Sequence, residues 1–149
     1  MNPMPTPPPT ATEYRWFVPI TTRWMDNDAY GHVNNVTYYA YFDTAANLFL
    51  IREAGLDIER SPVIALVVAS SCEYHAPLAY PDAIRAGVRV DRLGEKSVTW
   101  GIAIFRDGSE TAAASGSFVH VFVDRATRRS VPIPEAMRVK LETLRASRS

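Results

Sequence analysis

The 149-residue chain has one cysteine, no net charge and no long apolar run, and each deficiency removes a class of protein. A lone Cys72 makes neither an intrachain disulfide nor a cysteine-based zinc cluster, and its apolar setting reads as that of a small buried hydrophobe, compatible with a reducing compartment. Sixteen Lys and Arg balance sixteen Asp and Glu, so no overall field draws the chain to nucleic acid or to an anionic lipid surface, and no basic patch of convincing size takes its place. No segment approaches the roughly 18 consecutive apolar residues of a membrane-spanning helix. The opening MNPMPTPPPTAT lacks both the positive leader and the apolar stretch of a signal peptide. The expectation is a soluble, cytoplasmic protein with neither a nucleic-acid nor a membrane partner. No internal repeat is visible.

What is present describes a folded domain. With 47% hydrophobic and 21% charged residues the composition lies far from that of disordered chains. Five of the first nine residues are proline, which removes amide donors and favours extended conformers, so residues 1–12 read as a disordered Pro-rich tail and 13–149 as a single domain.

Residues 13–25, EYRWFVPITTRWM, are aromatic and β-branched and read as a first strand, with Pro19 marking an edge or a bulge. Residues 26–35, DNDAYGHVNN, read as a loop, with Asn34 or Asn35 capping the helix that follows. That helix, 37–54 with Gly55 beyond its end, places Tyr38, Tyr41, Phe42, Ala45, Leu48 and Phe49 on one face and further apolar residues around much of the rest. A helix apolar around most of its circumference needs enclosure, and the next seventy residues read as strands. These are 63–76 and 84–93, both expected to be half or fully buried, then 97–106 with Val98, Trp100, Ile102 and Ile104 inward, and 111–124. Gly116 marks a bulge or a close approach of another backbone. Pro132 and Pro134 precede a short amphipathic closing helix. Short turns join the strands, so the sheet is expected to be antiparallel, and its edges and outer face are expected to pair with a second copy.

The loop 26–35 is the place for chemistry. It sets two carboxylates and an imidazole before the start of a helix, whose unpaired N–H groups and positive dipole end can hold the oxyanion formed when a carbonyl is attacked. A nearby carboxylate can act as general base toward water, or as a nucleophile whose mixed anhydride water then cleaves.

The block TRWMDNDAYGHVNNVTYYAYFDTA, residues 22–45, resembles the hotdog-fold acyl-CoA thioesterases of the 4-hydroxybenzoyl-CoA thioesterase type. The resemblance rests on an aromatic-ended strand, the D-x-D-x-x-G-H-V-N-N loop and a helix opening with aromatics. It extends over about 13–144 through Tyr74-His75-Ala76-Pro77 with Asp82, RLGEKS at 92–97, and VFVD with VPIPEAMR. It implies an α+β hotdog fold, a five-stranded antiparallel sheet wrapped around a long central helix. It further implies a homodimer or homotetramer with the site between subunits, no metal and no cofactor, and an acyl-CoA substrate. Asp28 matches the family's catalytic carboxylate, the Asn35 N–H its oxyanion donor, and Lys96 a position that contacts CoA phosphates in some members. Gly94 and Glu95 stand where the most basic members carry arginine, which leaves Arg92 and Lys96 as the nearby cations. A non-catalytic acyl-CoA-binding hotdog protein is the alternative, and a hydratase or dehydratase is disfavoured by the same loop pattern.

Each signal also has a plainer explanation. Asp26 reads as a loop-bonding residue, since one carboxylate suffices. His32 either orients substrate or fixes the turn, and Asn34 reads as a cap. Tyr38 and Tyr41 read first as core, with Tyr38 a candidate for the acyl pocket. His75 and His120 have no metal-ligand spacing and read as structural. Ser70 and Ser71 lack a G-x-S-x-G elbow. Residues 125–129 read as a solvated turn.

Overall fold

The computed structural model describes residues 7–145. Five strands run in the order β1 (Trp16–Thr21), β2 (Val63–Tyr74), β3 (Ala83–Leu93), β4 (Ser97–Arg106) and β5 (Ala114–Asp124) along the chain. Helix α1 (Thr37–Arg52) lies between β1 and β2, and α2 (Glu135–Glu142) closes the chain. All four pairings are antiparallel and the spatial order is β1-β3-β4-β5-β2.

Alternation along the central strands produces one deeply apolar face. Val98, Trp100, Ile102 and Ile104 of β4 are fully buried beside Ile84, Ala86, Val88 and Val90 of β3, and α1 packs on this face against β2 to β5. Ala45 and Ala46 allow the helix axis to come close, while Phe49 meets Trp100 and Trp16 edge-on, at 5.9 and 5.2 Å between centroids. Gly116 has no room for a side chain: a Cβ there would lie 2.0 Å from the Ser71 carbonyl oxygen and 2.8 Å from the Phe42 ring. The close backbone approach read from its position is therefore real.

The helix is covered on one side, not enclosed. Tyr38, Tyr41, Phe42, Ala45, Ala46, Phe49 and Leu50 are buried, whereas Ala40, Asp43, Thr44 and Ile51 are exposed. It spans 16 residues and stops at Arg52, two residues short of the expected end. The chain closes in a wider turn, in which Gly55 at φ +78° brings the Leu56 N–H to the Leu50 carbonyl.

Three other expectations change. The first strand ends at Thr21 rather than 25, because the Asp26 carboxylate accepts the Arg23 N–H and draws residues Trp24–Asp26 into a 3-10 turn. The strand expected to be half or fully buried, β2, lies at the sheet edge with only β5 beside it, so Leu66, Val67 and Val68 are exposed. The Pro-rich tail lies outside the described residues as far as Thr6. From Pro9 onward the chain is attached, contrary to a tail reaching 12: Ala112 N–H donates to the Pro9 carbonyl and Ala11 N–H to that of Glu110, both at 2.9 Å. This segment and Tyr14 cover Ala103 and Phe105 on the sheet's outer face, which gives it apolar contacts that proline content alone does not reveal. In α2, Met137 and Leu141 are buried, and Arg138 donates to the Gly94 and Glu95 carbonyls of the β3–β4 turn. Among the described residues no helix is long and apolar enough to cross a membrane.

Candidate active site

The acidic loop folds as a tight hairpin. Asn34 N–H donates to the Asp26 carbonyl, Asn27 bridges Val33, and Asp28 N–H donates to the His32 carbonyl, so residues 26, 27 and 28 face 34, 33 and 32. At the tip, Gly31 at φ +82° allows its N–H to reach the Asp28 carbonyl at 3.0 Å. Asp28 Oδ1 accepts the Tyr30 N–H at 2.9 Å, the Asx turn that favours Asp at such positions. Its Oδ2 has no protein partner among the described residues. Two bonds hold the hairpin on the segment before β3: Val33 N–H to the Leu78 carbonyl at 2.7 Å, and Tyr80 N–H to Asn27 Oδ1 at 2.9 Å.

The two carboxylates differ in availability. Asp26 is 1% exposed and accepts from the Tyr41 hydroxyl at 2.8 Å, the Arg23 backbone N–H at 2.9 Å and the Arg23 guanidinium at 3.0 Å. Burial works to raise its pKa, but the bonds from Tyr41 and Arg23 and the Arg23 charge outweigh it and hold the carboxyl below the usual Asp value. Asp26 is thereby committed to joining the loop to α1. Asp28 is half-buried and retains an oxygen for chemistry.

At the helix entrance, Asn34 Oδ1 accepts the Val36 N–H at 2.9 Å and the Asn34 carbonyl accepts the Thr37 N–H at 2.9 Å. Asn34 thus supplies the cap, with Val36 at the boundary position. Of the backbone N–H groups of Asn34, Asn35, Val36 and Thr37, that of Asn35 alone has no partner among the described residues. Two residue steps along the hairpin separate Asp28 from the Asp26–Asn34 pair, roughly 7 Å at strand rise.

The other site residues read from the sequence divide by location. His32 and Asn35, both exposed, and Tyr38, buried, line a shallow cleft of about 330 Å³ with Tyr74, Ala76 and Pro77. Asp28 is not on its wall and lies one bonded pair away, opposite His32. Tyr38 sits between Tyr41 and Tyr74 in edge-on contacts, and burial pushes its hydroxyl up to about 12. Arg92 and Lys96 are not brought to this cleft within one chain. They occupy the far end of β3 and the turn beyond it, about 30 Å along the strand from the hairpin's anchor. His75 faces Ser115 Oγ at 2.9 Å, and His120, fully buried, accepts the Trp100 indole N–H at 3.0 Å on Nδ1. Sequence reasoning names Tyr74 only within the Tyr74-His75-Ala76-Pro77 block and gives it no role; its hydroxyl donates to the Asn35 carbonyl at 2.8 Å across 39 positions. No local pattern signals that contact. Among the described residues no three His, Cys, Asp or Glu side chains converge as a metal ion requires.

A five-stranded antiparallel sheet with a helix along one face is the arrangement of the α+β hotdog class. The model of the thioesterase-like superfamily matches residues 22–141, and the chain belongs to that superfamily. Its structure is similar to the crystal structure of the PA5185 protein from Pseudomonas aeruginosa strain PAO1, with a TM-score of 0.93, 54% identity, and coverage of 96% of this chain and 100% of that one. It is also similar to BH1999 gentisyl-coenzyme A thioesterase, with a TM-score of 0.75, 26% identity, and coverage of 85% of this chain and 99% of that one. Among curated proteins, YsmA of Bacillus subtilis strain 168, itself uncharacterized, is 24% identical over 88 residues. That match spans 59% of this chain and 59% of YsmA, less than two thirds of its length.

Proposed function

We propose that this protein hydrolyses an acyl-CoA thioester to the free acid and CoA. The observation that carries the reading is the single hairpin leading into α1, which holds a carboxylate with an unoccupied oxygen, Asp28 Oδ2, and ends at the Asn35 N–H, unpartnered among the described residues. The thioester carbonyl oxygen takes its hydrogen bond from that N–H, where the helix's positive end favours the charge that develops on attack. Two routes follow. As general base, Asp28 takes a proton from water while the water oxygen attacks the carbonyl carbon. The tetrahedral intermediate then expels the CoA thiolate, which recovers the proton. As nucleophile, Asp28 Oδ2 bonds to the carbonyl carbon and the thiolate leaves. Water then cleaves the resulting anhydride, yielding the acid and the free carboxylate, and the proton released goes to the CoA thiolate.

His32 and Tyr38, on the cleft wall, are the residues to contact the acyl group or the thioester. Arg92 and Lys96 are the cations for CoA phosphates in a homodimer or homotetramer, where a second copy brings them to a neighbour's cleft. A second copy is supported by β2. Its ten residues from Val63 to Cys72 contain no charge and no proline, and its outer edge has no strand beside it. Edge strands of monomeric proteins are usually blunted by such residues. The likeness to a gentisyl-coenzyme A thioesterase supports a CoA-linked substrate.

The test is thiol release from benzoyl-CoA, hexanoyl-CoA and palmitoyl-CoA by wild type and by Asp28→Asn. The expected result is turnover on one chain class and a loss of about 10²- to 10⁴-fold in the variant, with fold and oligomeric mass retained. Turnover unchanged in Asp28→Asn removes that carboxylate from the mechanism. Binding of all three without release from wild type establishes the non-catalytic alternative instead.

A further inference from the structure

The entrance of α1 is gripped from a distance. The peptide group between Asn35 and Val36 is held at both ends: its N–H by Asn34 Oδ1 at 2.9 Å, and its carbonyl by the Tyr74 hydroxyl at 2.8 Å. A peptide unit is planar and moves as one body, so fixing both of its polar ends leaves it no rocking freedom. The next unit toward the N-terminus carries the Asn35 N–H, and its carbonyl is fixed by Thr37. The direction of the one unpartnered N–H is therefore set by bonds on both sides of it.

Tyr74 is suited to this work by its mounting. It ends β2, and its ring stands edge-on to Tyr38 at 5.1 Å and 83°. Tyr38 in turn stands edge-on to Tyr41, which donates to buried Asp26. The ring is thus held against the same aromatic row that anchors the acidic hairpin, and its hydroxyl reaches the helix entrance at the Asn35 carbonyl. Asn34 belongs to the loop it stabilises, whereas Tyr74 belongs to the sheet, so among the described residues the Tyr74 hydroxyl is the side-chain group that ties this peptide to a strand.

We propose that Tyr74 is a positioning residue: through the Asn35 carbonyl it keeps the Asn35 N–H aimed at the carbonyl under attack. The inference rests on the hydrolytic reading above and adds to it a residue in β2. A hydrogen bond aimed at the developing charge loses much of its value when it swings, and a displacement of about 1 Å at such a centre can cost about a hundredfold in rate. The donor itself remains in place here, so a smaller loss is expected from loosening it.

The experiment uses Tyr74→Phe, which removes only the hydroxyl, and Tyr74→Leu, which also removes the ring, alongside wild type and Asp28→Asn, with the three acyl-CoA probes above. For Tyr74→Phe, kcat should fall about ten- to hundredfold with KM within about twofold, since the interaction acts on the transition state more than on bound substrate. The melting temperature should stay close to that of wild type, and Tyr74→Leu should add little further loss in kcat. In ¹⁵N-resolved NMR spectra the Asn35 and Val36 amide signals of Tyr74→Phe should shift and broaden while those of β4 do not. Wild-type kcat in Tyr74→Phe, or a rise in KM at constant kcat, overturns the proposal. So does full impairment only when the ring is removed, which would assign Tyr74 to packing. If wild type releases thiol from none of the probes, the hydrolytic reading fails. The amide signals then decide the positioning claim by themselves: sharp, unshifted Asn35 and Val36 signals in Tyr74→Phe overturn it.

Discussion

His120 gives the fold an acid sensitivity whose size follows from its surroundings. The imidazole is fully buried in β5, stands edge-on to Trp100 and Phe118, and accepts the Trp100 indole N–H at 3.0 Å. Burial alone pushes its pKa down to about 4 from the ordinary 6.5. Protonation would place a charge in an apolar layer and turn Nδ1 from an acceptor into a second donor facing the indole N–H. The unfolded chain takes up its proton near pH 6.5 and the folded chain only near 4, so between those values the unfolded state binds more protons. The stabilisation is complete above about pH 6.5 and is lost progressively as the pH falls toward 4. From the two pKa values the loss is about 2 kcal/mol by pH 5 and about 3 kcal/mol by pH 4. His120→Gln retains an acceptor for Trp100 but does not titrate in this range. Urea unfolding of both proteins from pH 7.5 to 4 isolates the effect, because carboxylates common to both cancel. At pH 7.5 the variant should be the less stable of the two, and the gap should narrow by about 3 kcal/mol on reaching pH 4. A gap that stays constant across the range would show that the histidine takes up its proton equally readily in the folded and unfolded chains, and would refute the reasoning.

Two further outcomes follow from the sheet. Gly116→Ala places a methyl group 2.0 Å from the Ser71 carbonyl oxygen, so β2 and β5 must separate; a cost of roughly 3 kcal/mol, or about 10 °C in melting temperature, is expected. A melting temperature within about 2 °C of wild type by calorimetry would contradict the close packing. Val67→Lys puts a charge on the bare edge of β2, where Val67 is 45% exposed, and should shift the mass measured by light scattering after gel filtration from an oligomer to a monomer. An unchanged oligomeric mass in the variant, or a monomeric wild type, would exclude β2 from self-association.

The parts of the fold legible in sequence are those governed by near neighbours. The alternation of Val98, Trp100, Ile102 and Ile104 fixes β4 at the residues it occupies, 97–106, because period-two burial is a property of the strand itself. The aromatic and alanine spacing after Asn35 marks α1 and its buried face in the same way. The acidic loop is equally local: Asp28 makes an Asx turn two residues ahead, and Asn34 caps the residue two ahead of it. Even the structural part taken by Asp26 is anticipated by its place in the loop, although its partner Tyr41, fifteen positions on, is not.

The remainder depends on how distant segments meet. Composition makes β2 look like a core strand, but the order β1-β3-β4-β5-β2 puts it at the edge, and a strand's burial is set by what lies beside it. Prolines at 7–9 resemble a free tail, yet the backbone of Pro9 and Ala11 finds partners in the turn before β5. Tyr74 reaches the Asn35 carbonyl only because the sheet carries the end of β2 to the entrance of α1. The linear chain thus determined the chemical groups, the periods of its helices and strands, and the turn that presents a carboxylate ahead of a helix, since each is settled within a few residues by backbone geometry and side-chain reach. The tertiary structure alone decided which distant hydroxyl the Asp26 carboxylate bonds, which sheet edge stays open, and which far residue bonds the helix entrance, since those depend on packing between segments that are not neighbours in the chain.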